Sequence, residues 1–333
     1  MVKLISSSLQ PSHCPSETRE VRSLSIGLYQ MKWHENPDTH LAHLHAGVEA
    51  CATAGADIVF LPELTLSRYP ADTRPEVAAD RHAESLLDGP TMRFARDAAV
   101  NNKVYVQASL YEAINRSDGL GFNTAILIDP KGTLVAKTRK LHIPVTEGYF
   151  ENHYFAEGPS ESPYPVHEVP VNDAAIQLGL PTCWDEWFPE VARSYGLGGA
   201  DILCYPTAIG SEPDHPSFNT RPLWQKVITG HAIANGLFIA VPNRTGTEGL
   251  ISFYGGSFIV DPFGRTLVEA SEDEEVAMVA EIDIAQRQDW LQLFPFFGTR
   301  RPDTYSVLTD PRINPRTESG EGESGPIPGI TWR

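Results

Sequence analysis

Three strand-like segments of the sequence each lead to a residue whose side chain can take part in catalysis. Glu63 closes "DIVFLPE", Lys140 closes "LVAKTRK", and Cys183 follows "IQLGLPT". In α/β proteins, functional sites collect at the carboxyl ends of strands and in the loops that follow them. A nucleophile, a base and a cation are the three parts that acyl transfer from an amide requires. The three residues are therefore candidates for one hydrolytic site.

Taken singly, each of these residues also has a purely structural interpretation. Cys183 at the start of a helix would have a lowered thiol pKa, but free cysteine is among the most buried residue types. Glu63 is either a partly desolvated base or a carboxylate on a surface turn. Lys140 is either a cation aimed at developing negative charge or a surface lysine with a buried stem. Spacing alone does not decide between these interpretations.

The elements that would position these residues alternate between strand-like and helix-like patterns. Helices are predicted near residues 38–55, with Asp38 or Thr39 as the N-cap, and near 91–101, 189–197 and 220–235. Predicted strands are typified by "LSIGLYQM" (24–31) and "ADILCYPT" (200–207). The pattern indicates an α/β fold.

An internal similarity links the two halves of the chain. The segments "AILIDPKGTLVAKT" (125–138) and "SFIVDPFGRTLVEA" (257–270) each read as a strand, an Asp-Pro-x-Gly turn and a returning strand. Two halves that both supply such a hairpin suggest a sandwich of two sheets covered by helices. Hairpins of this type are common, so the similarity alone is also compatible with coincidence.

Composition limits the classes of partner. Acidic residues outnumber basic ones 43 to 26, and the formal net charge of −17 argues against nucleic acid and anionic membranes as partners. No stretch approaches the ~20 apolar residues that span a bilayer, and the first residues lack a signal-like apolar run. The four cysteines form no CxxC pair or disulfide pattern, so a cytoplasmic protein with reduced thiols is expected.

The motifs around the three candidates resemble those of a known family. "FLPEL", "RKLHIP" and "CWDEWFPEVAR" are similar, in this order, to the motifs of the nitrilase superfamily of carbon-nitrogen hydrolases, which have a Glu-Lys-Cys triad. The resemblance implies a four-layer α-β-β-α sandwich, a homodimer or higher homo-oligomer, and no metal or organic cofactor. It divides the chain into an N-terminal extension (1–22), a hydrolase domain (23–310) and a C-terminal tail (311–333).

Within the superfamily, the sequence most resembles the N-carbamoylputrescine amidase branch. The segments that carry this likeness include "HIPVTEGYFENHYF", "YPTAIGSEP", "PNRTG" and "FYGGSFIVDPFG". The resemblance implies hydrolysis of N-carbamoylputrescine to putrescine, ammonia and carbon dioxide. It is also compatible with an N-carbamoyl amino acid hydrolase of the β-ureidopropionase type, an ω-amidase, an aliphatic nitrilase, or a catalytically silent assembly protein.

The resemblance also implies a role for each catalytic residue. Glu63 would take the thiol proton, and Cys183 would attack the carbonyl carbon of a small carbamoyl, amide or nitrile substrate. Lys140 and the backbone N–H of Trp184 would stabilise the oxyanion. Glu151, in "GYFENHYF", aligns with a second glutamate that orients the lysine and the substrate.

Other residues are candidates for substrate binding, namely Tyr69, Trp184, Asp185 and Glu186, of which Asp185 or Glu186 would meet a substrate ammonium. A metal site is not expected. The histidine-rich segment "HLAHLH", with His40, His43 and His45, directs His43 and His45 to different helix faces and lacks carboxylates at a suitable spacing.

Overall fold

A computed structural model of the chain describes residues 2–76, 79–172 and 174–310. The predicted C-terminal tail (311–333) lies outside the described residues. The chain divides into two compact units, Met1–Phe294 and Pro295–Arg333. The described part of the second unit contains two 3-10 helices, Pro302–Thr304 and Ser306–Thr309.

The first unit contains the strands and α-helices of the described chain. In chain order, the strands are β1 (Lys3–Ser7), β2 (Ser23–Lys32), β3 (Ile58–Phe60), β4 (Tyr105–Glu112), β5 (Phe122–Ile128), β6 (Leu134–Arg139), β7 (His167–Val171), β8 (Ala174–Gly179), β9 (Ile202–Cys204), β10 (Phe238–Val241), β11 (Arg244–Glu248), β12 (Ile251–Tyr254), β13 (Phe258–Val260), β14 (Thr266–Glu269) and β15 (Val276–Asp283). The helices are α1 (Pro37–Thr53), α2 (Pro90–Asn102), α3 (Pro189–Leu197), α4 (Arg221–Asn235) and α5 (Ala285–Leu293).

These strands form two mixed sheets. The first sheet has the order β1-β15-β2-β3-β4-β5-β6, and the hairpin of β11 and β12 joins it at β2. The second sheet has the order β14-β13-β10-β9-β8-β7. Parallel pairs such as β2–β3 and β8–β9 place successive carboxyl ends at one edge of each sheet, which is where loops carrying functional groups collect.

The layers follow from the alternation of side chains along each strand. On β2, Leu24, Ile26 and Leu28 point into a core that also contains Ile176 and Phe238 of the second sheet. The intervening positions of the first sheet pack under α1 and α2, whereas the outer face of the second sheet packs under α3 and α4. The predicted four-layer α-β-β-α sandwich is therefore confirmed.

The two predicted Asp-Pro-x-Gly hairpins are present, one in each sheet. β5 pairs antiparallel with β6, and β13 pairs antiparallel with β14. Asp129 Oδ1 accepts hydrogen bonds from the N–H groups of the residues two and four positions later, and Asp261 Oδ1 does the same. The glycines that complete the turns, Gly132 and Gly264, have φ values of 81° and 80°, which favour glycine.

The start of α1 differs from the prediction. Asn36 is the N-cap, and its Oδ1 accepts a hydrogen bond of 2.9 Å from the Thr39 N–H. Asp38 lies in the first turn, and Pro37 occupies the first helical position, where the missing N–H costs nothing. The cap assignment to Asp38 or Thr39 was wrong because the helix begins at Pro37, so the N-cap lies two residues before Asp38.

The edge of the first sheet also extends beyond the predicted hydrolase domain. β1, within the predicted N-terminal extension, pairs in parallel with β15 from Lys3 to Ser7. The sequence offers no local signal for this pairing because the partner strand lies some 270 residues further along the chain. At the other end, the second compact unit begins at Pro295, and the predicted boundary after residue 310 stays a prediction. Among the described residues, no helix is long and apolar enough to cross a membrane.

Close packing of α1 on the first sheet gives a test of the fold. A Cβ added at Gly47 would lie 2.2 to 2.5 Å from ring atoms of buried Tyr29 on β2, whereas one added at the exposed Gly230 of α4 would meet nothing within 4 Å. Gly47→Ala should lower the free energy of unfolding by about 1–3 kcal/mol through overpacking. Gly230→Ala, the matched control, should raise it by up to about 1 kcal/mol.

Denaturant unfolding of the two variants beside the unsubstituted chain measures both effects. Equal effects of the two substitutions would contradict the packing of α1 against β2.

Candidate active site

The three candidate catalytic residues lie at strand ends on both sheets. Glu63 follows β3, and Lys140 follows β6 directly, both in the first sheet, whereas Cys183 follows β8 in the second. The loop after β9 ties the sheets together, because Thr207 O accepts the Glu63 N–H at 3.3 Å and Pro206 O accepts the Cys183 N–H at 3.0 Å. A single loop therefore sets the backbone positions of the carboxylate and the thiol.

The Lys140 ammonium is fully buried between two carboxylates. Its Nζ donates to Glu63 Oε1 at 2.9 Å and to Glu151 Oε2 at 2.7 Å. Burial by itself would lower the pKa of Lys140, but the charges of Glu151 and Glu63 outweigh it and raise that pKa well above its usual value. Lys140 is therefore a permanent cation with one N–H not used by either carboxylate.

Glu151 is the second carboxylate in contact with the Lys140 ammonium. The Tyr69 hydroxyl donates to Glu151 Oε1 at 2.8 Å, and the ring of Tyr69 is buried. Burial raises the pKa of the Glu151 carboxyl to about 7, against the attraction of Lys140. Tyr69, predicted as a substrate-binding residue, thus holds the second glutamate in place.

The two carboxylate oxygens of Glu63 differ in their hydrogen bonding. Asn123 Nδ2 donates to Glu63 Oε1 at 2.6 Å, the same oxygen that Lys140 contacts. Among the described residues, none provides a hydrogen-bond partner for Glu63 Oε2. A carboxylate fixed through one oxygen keeps the other available to accept a proton.

Cys183 begins a five-residue 3-10 helix, Cys183–Trp187, with a φ of 44° in the left-handed region. Burial raises the pKa of the Cys183 thiol well above its usual value, and the Glu63 carboxylate adds to this rise while Lys140 opposes it. The expectation that a helix start lowers this pKa was therefore wrong. The helix is too short to supply a large dipole, and full burial disfavours the thiolate.

The turn after Glu63 is strained as well and is held by a buried arginine. Leu64 has a φ of 49°, which is unfavourable for a side chain branched beyond Cβ. Arg244 donates to the carbonyl oxygens of Glu63, Leu64 and Ser67 at 2.6 to 2.9 Å and is neutralised by Glu248 at 2.8 Å. Sequence reasoning did not single out Arg244, whose partners are some 180 residues away.

The carboxylate of Asp185, which is predicted to bind substrate, already has hydrogen-bond partners within the protein. Its Oδ1 accepts the His142 N–H at 3.0 Å and lies 2.7 Å from His142 Nδ1, and its Oδ2 accepts the Thr182 N–H at 3.1 Å. Asp185 thus connects the segment after Lys140 to the residue before Cys183, which is a positioning role.

Glu186 is likewise buried away from the cavity. Its Oε2 lies 3.2 Å from Thr207 Oγ1, which in turn donates to the Tyr205 carbonyl at 2.7 Å. Burial raises the pKa of the Glu186 carboxyl well above its usual value, and this disfavours its charged form. Glu186 is not among the described residues that line the cavity, so its contact with a substrate ammonium stays a prediction.

The thiol opens into a cavity of about 210 Å³, less than the roughly 300–1,000 Å³ typical of sites for drug-sized ligands. Its wall contains five apolar or aromatic residues and five polar ones. The apolar set is Pro144, Tyr149, Trp184, Trp187 and Ile209, and the polar set is Thr146, Glu151, Cys183, Glu212 and Thr220.

Glu212 is the acidic residue of this wall that sequence reasoning missed. Thr220 Oγ1 donates to Glu212 Oε1 at 3.2 Å, and burial raises the pKa of the Glu212 carboxyl above its usual value. No lysine or arginine stands among the described residues that line the cavity. The signal was available, because Glu212 lies in the quoted segment "YPTAIGSEP", but nothing local connects it to Cys183.

The chain is similar in sequence and in fold to known proteins. A family model described as carbon-nitrogen hydrolase matches residues 25–292. The chain is 33% identical to an N-carbamoylputrescine amidase of Solanum tuberosum, over 86% of this chain and 95% of the relative. It is 32% identical to a citrullinase of Francisella tularensis subsp. tularensis, over 86% of this chain and 98% of the relative.

Among solved structures, a carbon-nitrogen hydrolase from Helicobacter pylori G27 superposes with a TM-score of 0.74 at 31% identity. The match covers 87% of this chain and 99% of that one.

Proposed function

Since the chain belongs to the carbon-nitrogen hydrolase family, we propose that it is a cysteine-dependent amidohydrolase of N-carbamoyl amines, with N-carbamoylputrescine as its substrate. Membership of this family supports the hydrolysis of a C–N bond, and we take that bond to be a non-peptide one. The observation that carries the substrate assignment is Glu212, a carboxylate on the wall of the small cavity that also contains Cys183.

The reaction begins with transfer of the Cys183 proton to Glu63, through the oxygen that no protein group holds. The sulfur attacks the carbamoyl carbon, and the developing oxyanion is stabilised by the remaining N–H of Lys140 and by the backbone N–H of Trp184. Each such donor contributes roughly 3–4 kcal/mol to stabilisation of a transition state. Glu63 then returns the proton to the leaving nitrogen, and ammonia departs.

The second half of the reaction releases the carbamoyl group from the sulfur. Glu63 takes a proton from a water molecule, the hydroxide adds to the carbonyl carbon, and the C–S bond breaks with return of a proton to Cys183. The product is a carbamic acid, which decomposes to the free amine and carbon dioxide. One ureido group and one water molecule thus account for the ammonia, the carbon dioxide and the amine.

Substrate choice depends on the charges of the cavity wall. N-carbamoylputrescine carries an ammonium and no carboxylate, and citrulline is the same molecule with a carboxylate added beside the amine. The comparisons do not separate them, since the named relatives are 33% and 32% identical. The wall offers Glu212 for an ammonium and no lysine or arginine among its described residues for a carboxylate. Burial of an unpaired carboxylate costs several kcal/mol.

The charges of the wall also disfavour three further substrate classes. N-carbamoyl-β-alanine and the acidic amides that ω-amidases hydrolyse both carry a carboxylate, and an aliphatic nitrile lacks the ammonium that Glu212 would bind. Citrulline remains the second candidate because of the citrullinase relative.

A panel of these compounds tests the proposed function. We expect kcat/KM for N-carbamoylputrescine to exceed that for citrulline and N-carbamoyl-β-alanine by at least about 100-fold, which corresponds to roughly 3 kcal/mol. Cys183→Ala should abolish turnover of every compound, because the covalent intermediate forms on this sulfur. Ammonia release in the presence of each compound is the measurement. Preference for a carboxylate-bearing compound would refute the substrate, and full activity of Cys183→Ala would refute the mechanism.

The role of Glu212 has its own matched test. Glu212→Gln should lower kcat/KM for N-carbamoylputrescine about 10- to 100-fold, since a hydrogen bond between charged groups is lost. N-butylurea has the same chain without the ammonium, so its kcat/KM, or its inhibition constant if turnover is slow, should change less than about threefold. An equal loss for both compounds would mean that Glu212 acts on the catalytic groups and not on the ammonium.

A further inference from the structure

A second cluster of chemically reactive side chains lies outside the active site. His34 follows the end of β2, His43 lies on α1, and Glu275 directly precedes β15. The fold brings these three side chains into contact although Glu275 is more than 230 residues from both histidines. We refer to them as the His34–His43–Glu275 cluster.

The geometry of the cluster is that of a metal-binding donor set. Glu275 Oε1 lies 2.7 Å from His34 Nε2, and Glu275 Oε2 lies 3.1 Å from His43 Nδ1. All three ligand atoms lie within 4.8 Å of one another. Ligand atoms around a tetrahedral zinc ion, with bonds of 2.0–2.1 Å, are about 3.3 Å apart. A shift of roughly 1 Å or less would accommodate an ion.

The charges of the cluster also favour a cation. The two imidazole rings are 4.1 Å apart between centroids and share the carboxylate of Glu275. The turn that carries Glu275 reads "SEDEE"; Glu272 and Glu274 are paired with Arg221 and Lys3, and Asp273 adds negative charge. Two neutral imidazoles and one carboxylate are typical ligands of zinc and of neighbouring divalent transition metals, whereas magnesium and calcium prefer oxygen ligands alone.

The buried side chain of His40 fixes the backbone of His34 beside the cluster. His40 Nδ1 accepts the backbone N–H of His34 at 3.3 Å, so the ring hydrogen of His40 is on Nε2, which donates to Thr65 O at 2.9 Å. His34 and His43 remain accessible, with 15% and 40% of their side-chain surface exposed. A fixed backbone and open side chains allow an ion to bind from solvent.

We propose that the His34–His43–Glu275 cluster binds one divalent transition-metal ion of the zinc, cobalt or nickel class, with water completing its coordination. The ion would link α1 to the residues that follow β2 and precede β15, and so stabilise the folded chain. The sequence predicted no metal site because it offered only His40, His43 and His45 on one helix. The proposal does not depend on the substrate or mechanism proposed above.

The test is equilibrium binding of zinc to the full chain, supported by the visible spectrum of bound cobalt. We expect one ion per chain and a melting temperature that rises with zinc concentration. His43→Ala and Glu275→Gln should each weaken binding at least about tenfold, because loss of even an outer partner of a ligand costs that much. His45→Ala is the matched control, since His45 lies on the same helix but packs against Phe94.

Repeating the measurement on Cys183→Ala distinguishes zinc bound at the cluster from zinc bound at the active-site thiol. Retention of the stoichiometric site in that variant supports the proposal, and its loss refutes it. Unchanged affinity in both His43→Ala and Glu275→Gln, or absence of binding in the unsubstituted chain up to millimolar zinc, would also overturn it. Far-ultraviolet circular dichroism of each variant checks that the chain is folded, and Glu275→Gln retains the size and hydrogen bonding of the native residue.

Discussion

The structure of the site depends on one buried ammonium. Lys140 is removed from water, and a buried charge persists only where opposite charges and hydrogen bonds surround it. Glu63 and Glu151 supply the charge, and Asn123 and Tyr69 each donate a hydrogen bond to one of these carboxylates. Removal of any member would leave another buried and unpaired, so the groups that make the site reactive also fix its geometry.

This arrangement has a direct consequence for the nucleophile. Two carboxylates and one ammonium leave a net negative charge around Cys183, and burial adds a further cost to forming a thiolate. The resting residue is therefore a neutral thiol. In the proposed mechanism, deprotonation occurs during attack, when Glu63 accepts the proton and the charge moves onto the substrate oxygen near Lys140. A neutral resting thiol also protects the site from oxidation, which requires thiolate character.

The sequence allowed much of this to be predicted, within limits set by distance along the chain. The two hairpins, the four layers and the strand-end positions of Glu63, Lys140 and Cys183 follow from local patterns and motif resemblance. The pairing of β1 with β15, the place of Glu212 on the same cavity as Cys183, and the contacts of Glu275 with two histidines bring together separate segments, which no local pattern indicates. For the same reason, the sequence does not show that the carboxyl groups of Asp185 and Glu186 are buried. Their position beside Cys183 in the sequence led to the prediction that they bind the substrate. The expected homo-oligomer stays a prediction.

The central claim is that Cys183 is a neutral thiol in the resting protein, held beside a pre-formed base. A pH titration of thiolate absorbance in the ultraviolet, recorded as the difference between the unsubstituted chain and Cys183→Ala, tests it most directly. The account predicts no difference between about pH 6 and pH 9, since burial and Glu63 raise the pKa of this thiol above its usual value. A thiolate signal that titrates below about pH 8 would contradict it and would mean that Lys140 and the helix start dominate the electrostatics of the site.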